Sequence, residues 1–188
     1  QTYNMTGSPV ILFFKGGWMI NNQWYVILES SELRKKPLGV TRLGVKLVLW
    51  RDTRGFAHAA MDICPHRGAA FSVGEVINDH IQCPFHGFEF DGTGACKVIP
   101  ANGWTLPPPK AMKVKTFPVR EEYGYIWLWW GDLKDEYPSL PWFEDLDNSF
   151  SYAGYQAHWP VHYSRAVENQ LDVIHLPFVH ATTIGRGN

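Results

Sequence analysis

The sequence predicts a mainly β domain, a small antiparallel sandwich or barrel with two metal-binding loops, over residues 24–136, followed by the start of a second domain over residues 137–188. Short runs rich in valine, isoleucine and aromatic residues recur between residues 24 and 130, separated by turn signals of proline, glycine and aspartate. Many short strands at this spacing are typical of a sandwich or barrel. After Trp130 the composition changes to a polar connector that contains proline, which marks the domain boundary.

The predicted strands follow an N-terminal segment, residues 1–23. They are residues 24–28, 45–50, 56–61, 81–83, 87–90, 113–119 and 125–130. The turn signals between them fall at residues 37–39, 52–55, 91–94 and 107–109.

The second domain is predicted from fewer signals. Residues 151–158 have the pattern of a strand, and residues 163–175 that of a helix, because Val167, Leu171 and Ile174 recur at helical spacing. Pro177 should end or kink that helix. A domain of about fifty residues with one helix cannot bury much core, so we expect the second domain to be incomplete here.

Two short phrases carry candidate metal ligands: CPHRG at residues 64–68 and CPFHG at residues 83–87, which begin nineteen positions apart. Each follows a predicted strand and contains proline and glycine, so both are expected to be loops at one tip of the sheet. One cysteine and one histidine from each loop suit a [2Fe–2S] cluster with two cysteines on one iron and two histidines on the other. The candidate cluster ligands are Cys64, His66, Cys83 and His86.

Zinc is the alternative metal for these four residues. Structural zinc sites also use two cysteines and two histidines, but their short spacers usually pair like with like. Here each phrase holds one residue of each kind, and a single residue separates Cys64 from His66. That spacing is tight for chelating one tetrahedral ion, whereas it suits a loop that gives one ligand to each of two irons.

A second group of candidate ligands lies in the stretch ENQLDVIHLPFVH, residues 168–180. It holds Asp172, His175 and His180, and two histidines with one carboxylate can hold an iron that keeps open positions for O2. The histidines are five residues apart, about 140° around an ideal helix, so a break at Pro177 would help His180 to turn towards His175. Spacing alone makes Asp172 a possible carboxylate ligand.

The two loop phrases and their surroundings resemble the Rieske proteins, and among them the alpha (oxygenase) subunits of Rieske non-haem iron aromatic ring-hydroxylating oxygenases. Rieske proteins of respiratory complexes carry an extra cysteine in each ligand loop, which CPHRGA and CPFHGF lack. The stretch FEFDGTGACKVIP, residues 88–100, resembles the oxygenase pattern, and Cys96 falls at its cysteine position. The N-x-x-D spacing of Asn169 and Asp172 resembles the single-subunit monooxygenase and O-demethylase branch.

The resemblance implies a fold, a reaction and partners. The second domain would be an α+β helix-grip domain with a mononuclear non-haem Fe(II). The implied reaction uses O2 and electrons from NAD(P)H, delivered by a reductase and in some cases a ferredoxin, to hydroxylate or O-demethylate an organic, aromatic or polycyclic substrate. Both monooxygenases and dioxygenases belong to this family, and the implied assembly is a head-to-tail homotrimer.

The resemblance also implies a role for Asp172 that spacing does not give. In the family the matching aspartate bridges a cluster-ligand histidine of a neighbouring subunit and an iron-ligand histidine, which makes it an inter-subunit electron relay. His175 and His180 then bind the mononuclear iron, and the third, carboxylate ligand lies outside residues 1–188. A competing class, a Rieske ferredoxin-like electron carrier without catalysis, would end near Trp130 and lack this second group.

The composition limits the remaining function classes. Hydrophobic residues make up 45% and charged residues 19%, as in globular proteins, and a net charge of −1 gives no reason to expect a nucleic-acid partner. No apolar run is long enough to span a membrane, and no signal peptide is visible. With two of the three cysteines in the loops, Cys96 has no disulfide partner and is expected to be a small buried residue. A reducing, cytoplasmic location is therefore expected.

Overall fold

The computed structural model describes residues 19–103, 106–143, 145, 149, 150 and 158–184. The chain divides into two compact units, with the boundary after Pro141. The predicted strand at residues 151–158, except for residue 158, and most of the N-terminal segment lie outside the described residues. No helix within the described ranges is long and apolar enough to cross a membrane.

The first unit is built from strands, which confirms the mainly β prediction. Its described residues form three antiparallel sheets. The first sheet has the order β1-β11-β10, with β1 at Gln23–Glu29, β10 at Val119–Glu122 and β11 at Tyr125–Trp130. The second has the order β2-β3-β4-β9, with β2 at Leu38–Arg42, β3 at Val45–Arg51, β4 at Ala57–Met61 and β9 at Thr116–Phe117. The third has the order β5-β6-β7-β8, with β5 at Glu75–Ile77, β6 at His80–Gln82, β7 at Glu89–Phe90 and β8 at Cys96–Val98.

Strand β3 is the centre of the first unit, because it is buried on both faces. Leu47 and Leu49 point into a core shared with the first sheet, where they meet Ile126 and Leu128. The alternate residues of β3 point into a second core, which we call the loop core. The loop core consists of Val48, Trp50, Ala60, Cys64, Phe71, Ile81, Cys83, Phe88, Phe90, Cys96, Ile99 and Val114. Successive side chains of a strand point to opposite faces. One face of β3 therefore packs against the first sheet, and the other packs in the core that contains the cysteines of the candidate site.

The predicted strand at residues 113–119 is wrong in its extent. The structure breaks it at Pro118, with β9 on one side and β10 on the other. β9 pairs with β4 in the second sheet, while β10 pairs with β11 in the first. Proline has no N–H to donate to a sheet, so it is a natural place for the chain to pass from one sheet to another.

Strands β2, β5 and β8 were missing from the prediction. Residues 37–39 were predicted as a turn because of their proline and glycine, yet β2 begins at Leu38 and pairs with β3 along its whole length. A Cβ atom on Gly39 would lie 2.6 Å from the Cβ of Ser72. Close packing therefore requires glycine at this position. From sequence alone, a glycine required by packing cannot be distinguished from a glycine that forms a turn.

The predicted helix at residues 163–175 is also too long. Helix α1 spans Tyr163–Leu171, and a second short helix, α2, spans Leu176–Val179. The carboxylate of Asp172 accepts a hydrogen bond from the Ile174 amide at 2.9 Å, a turn that competes with continuing the helix. Pro177 lies in the first turn of α2, where proline is tolerated, so it begins a helix and does not end one.

Candidate functional site

The first candidate loop, residues 64–69, is closed by two backbone hydrogen bonds. The Cys64 amide donates to the Ala69 carbonyl at 2.8 Å, and the Gly68 amide donates to the Cys64 carbonyl at 2.8 Å. Gly68 has a φ of 76°, in the left-handed region that glycine adopts without strain. The sequence Cys-Pro-x-x-Gly therefore specifies a tight loop that begins at the cysteine.

The second loop, residues 83–88, repeats this pattern. The Cys83 amide donates to the Phe88 carbonyl at 2.8 Å, the Gly87 amide donates to the Cys83 carbonyl at 3.0 Å, and Gly87 has a φ of 70°. The two loops thus have the same length and closure. The histidine occupies the third position of the first loop and the fourth of the second, which is why the two phrases read C-x-H and C-x-x-H.

The loops bring like residues together. Cys64 and Cys83 are each 2% exposed, and their side chains are neighbours in the loop core. The rings of His66 and His86 have centroids 4.8 Å apart and are exposed. The cysteines therefore lie beneath the surface and the histidines at the tip, although each loop contributes one of each.

The groups around the Cys64 sulfur have opposing effects on the pKa of its thiol. Burial and the neighbouring Cys83 raise the pKa of the Cys64 thiol to about 11, while the backbone amides of His66 and Arg67 donate towards the sulfur and oppose the rise. The same two amides would stabilise a sulfur that carries negative charge in a metal complex.

Aromatic rings from the second loop support both histidines. The Phe88 ring, which is buried, stacks on His66 at 4.5 Å with an interplanar angle of 6°. The Phe85 ring lies 4.1 Å from that of His86. The imidazole of the first loop is thus oriented by a side chain of the second, so the two loops form one structural unit.

Carboxylates bridge the base of each loop, and neither of them is among the predicted site residues. Asp62 accepts hydrogen bonds from the Ser72 amide at 2.8 Å and hydroxyl at 2.6 Å, across the first loop. Glu89 accepts from the side-chain amide of Gln82 at 3.2 Å, across the second loop. Only their position in the sequence could have indicated these carboxylates, since each lies within three residues of a loop ligand.

This donor set fits a two-iron cluster better than one tetrahedral ion. A [2Fe–2S] cluster needs two pairs of ligands, one for each iron. The buried thiols and the exposed imidazoles are two such pairs.

The second group of candidates lies between α1 and α2. Asp172 follows the last residue of α1, and His175 and His180 flank α2. The two histidine rings have centroids 5.4 Å apart, and His175 Nδ1 lies 3.4 Å from Asp172 Oδ2. The Ile174 amide leads the contacts that lower the pKa of Asp172, so this exposed carboxyl group is ionised at neutral pH. The break after Leu171 brings the two imidazoles together, as two ligands of one ion require.

A cavity of about 880 Å³ opens on the first unit, but none of the predicted site residues lines it. Its lining includes the basic side chains Arg34, Lys35 and Lys36 and the buried Asp52. Burial opposes ionisation of Asp52, but hydrogen bonds from His58, the Phe56 amide and Arg54 outweigh it and lower the pKa to about 2. This carboxylate therefore organises the turn after β3.

Comparison with known proteins places the chain in a family. A family model described as the Rieske [2Fe-2S] domain matches residues 23–118. The chain is 40% identical over 164 residues to the oxygenase component of dicamba O-demethylase from Stenotrophomonas maltophilia, covering 86% of this chain and 48% of that protein. It is 35% identical to the vanillate O-demethylase oxygenase subunit of a Pseudomonas species, covering 88% of this chain and 46% of that subunit.

Solved structures also match the chain. The crystal structure of dicamba monooxygenase bound to dicamba matches 87% of this chain and 49% of its own, with a TM-score of 0.77 and 38% identity. The chain thus spans about half the length of the curated relatives and solved structures that it matches.

Proposed function

The chain belongs to the Rieske [2Fe–2S] domain family, and we propose that the protein is an oxygenase component that hydroxylates or O-demethylates an organic substrate with O2. The observation that carries this proposal is the presence of two separate ligand groups in one chain. The thiols and imidazoles of the two loops suit an electron-transfer cluster, and the paired imidazoles of His175 and His180 suit a mononuclear iron.

The four loop residues are proposed to hold the cluster, which when bound supplies the transfer of one electron at a time. Cys64 and Cys83 would bind the inner iron, because their sulfurs are buried and adjacent. His66 and His86 would bind the outer iron, since their rings are exposed at the loop tip. The exposed imidazole edges are then the shortest route for an electron between the cluster and another protein or subunit.

His175 and His180 are proposed to bind a mononuclear Fe(II), which when bound supplies the activation of O2. Their separation supports this role, and the third, carboxylate ligand is proposed to lie outside residues 1–188. Asp172 would not be a ligand. Its carboxylate contacts His175 and is half exposed, so it can accept a hydrogen bond from a second imidazole as well.

The second imidazole is proposed to belong to the cluster of a neighbouring subunit in a homotrimer. The loop tip has the surface that such a contact needs, since the exposed apolar ring of Phe85 lies against the exposed His86. An Asp172 carboxylate held between His175 of its own subunit and His66 or His86 of the next would link the two metal centres through hydrogen bonds.

The similarity to oxygenases supports this proposal over an electron carrier without catalysis. The Rieske family model ends at residue 118, whereas the match to the dicamba O-demethylase component extends over 86% of the chain. A carrier would have no use for the Asp172, His175 and His180 group. The electrons are proposed to come from NAD(P)H through a reductase, with or without a ferredoxin.

A reducing, cytoplasmic compartment is proposed for the protein. The three cysteines are free, and the two in the loops are the proposed cluster ligands. Thiols of this kind persist where disulfides do not form.

The full-length protein with its reductase tests the proposed activity. It should consume NAD(P)H and O2 in the presence of a substrate drawn from methoxylated aromatic acids, aryl ethers and polycyclic aromatic compounds. Release of formaldehyde would identify O-demethylation, whereas a hydroxylated product without formaldehyde would identify ring or side-chain hydroxylation. A protein that passes electrons to external acceptors but oxygenates none of these compounds, with iron at both sites, would contradict the proposal.

A further inference from the structure

Glu89 is a carboxylate that the proposed chemistry does not use, yet it lies at the base of the second loop. Its side chain is only 12% exposed. One oxygen accepts from the Gln82 amide at 3.2 Å, and the other lies 3.1 Å from Nδ1 of His80. Gln82 and His80 lie on the same face of β6, so the carboxylate spans two successive positions of the strand that leads into Cys83.

The position of Glu89 is fixed relative to the loop. Glu89 is paired with Gln82 across the β6–β7 hairpin, and Cys83 follows Gln82 directly. Cross-strand partners lie about 5 Å apart and consecutive residues about 4 Å apart, so Glu89 lies within roughly 10 Å of Cys83. It also follows Phe88, whose ring stacks on His66. The backbone of Glu89 is thus held close to ligands from both loops.

The charge of Glu89 acts on the loop core. Burial raises the pKa of the Cys96 thiol, and the negative charge of Glu89 raises it further. The hydrogen-bonding partners of Glu89 are an amide and an imidazole, so only a protonated His80 would place a full positive charge beside it. Lys97, the nearest basic residue in sequence, binds Asp91 at 3.2 Å. A negative charge therefore lies beside the core that contains both cysteines, on the opposite face of the β6–β7 hairpin from Ile81 and Phe90.

We propose that Glu89 tunes the proposed cluster: its fixed negative charge lowers the cluster's reduction potential and so makes the cluster a stronger electron donor. This inference rests on the proposed function. Reduction adds one electron to the cluster, and a nearby negative charge disfavours the reduced form. At roughly 10 Å and an effective dielectric constant near 20, the equilibrium constant for reduction changes by about tenfold, which for one electron is ~59 mV.

The test is redox titration of the full-length, cluster-loaded protein at pH 8, where imidazoles are ordinarily neutral. Glu89→Gln removes the charge and retains a side chain that can accept from Gln82. Its cluster should have a more positive potential, with about a tenfold larger equilibrium constant for reduction and an unchanged EPR line shape. Glu75→Gln is the matched control, because Glu75 pairs with Gln82 from the opposite strand but is exposed. Its potential should equal that of the wild type.

Equal potentials for wild type and Glu89→Gln would overturn the inference, as would an equal shift in Glu75→Gln. If Glu89→Gln does not take up the cluster, Glu89→Asp replaces it. This variant keeps the charge on a shorter side chain, so a wild-type potential supports the inference and a positive shift contradicts it. Absence of a Rieske EPR signal in the wild type would instead contradict the proposed function itself.

Discussion

The imidazole rings of His66 and His86 have centroids 4.8 Å apart, although they belong to loops that begin nineteen residues apart. The same two loops place their cysteines side by side in the core below. This arrangement sorts four ligands by chemistry: buried sulfur inside and exposed nitrogen outside. A single tetrahedral ion would not require that sorting, whereas two irons with different ligands do.

Replacing one imidazole should remove the cluster. We expect His86→Ala to lose most of the cluster iron and the visible absorbance, because three remaining ligands cannot complete two tetrahedral irons. His158→Ala changes another exposed histidine and should retain both. Iron analysis and absorbance spectra of the two purified variants measure the difference. Full cluster iron in His86→Ala would show that this residue is not a ligand.

Replacing the proposed relay should separate metal binding from turnover. In Asp172→Ala, both metals should stay bound, while substrate-dependent NAD(P)H oxidation falls by about 100-fold or more, because a hydrogen-bonded link between the centres is lost. Glu168→Ala, on the exposed side of α1, serves as the control and should retain activity.

Metal content distinguishes the two roles of Asp172. Iron at both sites together with lost turnover agrees with a relay. Loss of the mononuclear iron from Asp172→Ala would instead make this residue a ligand.

Part of the fold was predictable because β structure leaves local signals. The run that became β11 was predicted with its observed bounds, Tyr125–Trp130, since it is apolar and bounded by turn residues. The division of residues 113–119 between two sheets was not, because the pairing of β9 and β10 depends on partners far away in sequence. Helix α1 ends earlier than predicted because the Asp172 side chain accepts a hydrogen bond from the Ile174 amide. The spacing of hydrophobic residues gives no information about such a bond.

The predicted ligand residues were identifiable because metal ligands combine rare residue types at short spacing. The chemistry of a [2Fe–2S] cluster implies that the thiols and the imidazoles form separate pairs. The structure adds that the two members of each pair lie next to each other. Glu89 and Asp62 were not found, because a single acidic residue near a loop has no distinctive pattern. Their importance depends on cross-strand contacts with Gln82 and Ser72, which only the three-dimensional pairing shows.

Asp52 should stabilise the first unit through its ionised form. Its pKa of about 2 in the folded chain lies below the ordinary value, so its contribution is present at neutral pH and is lost as the pH falls from about 4 towards 2. We expect Asp52→Asn to lower the free energy of unfolding by roughly 1 to 3 kcal/mol at pH 7, with a smaller difference from wild type near pH 3.

Denaturant unfolding at both pH values measures this effect. Asp135→Asn, an exposed acidic residue of the connector, is the control and should change the stability little. A penalty for Asp52→Asn that is the same at pH 7 and pH 3 would rule out the ionised carboxylate as its cause.

Gly74 should tolerate no side chain, although its backbone has an ordinary φ of −92°. An added Cβ would overlap the backbone carbonyl oxygen of Gln82, the residue before Cys83, and lie 3.1 Å from the Phe71 carbonyl. We expect Gly74→Ala to cost about 1 to 3 kcal/mol and to weaken cluster retention.

Gly55→Ala provides the comparison for Gly74, because Gly55 has open space around it and a φ of +89°. Its cost should be backbone strain alone, about 1 to 2 kcal/mol, with the cluster retained. Thermal unfolding with iron analysis separates the two variants, and normal cluster retention in Gly74→Ala would contradict the packing argument.

The central claim is that the two loops hold a [2Fe–2S] cluster with two cysteines and two histidines. The most direct measurement is iron, sulfide and zinc analysis of the purified full-length protein, combined with EPR of its reduced form. The account predicts two cluster irons and two labile sulfides per chain, a further mononuclear iron, and an anisotropic Rieske signal. Stoichiometric zinc with no such signal would contradict it.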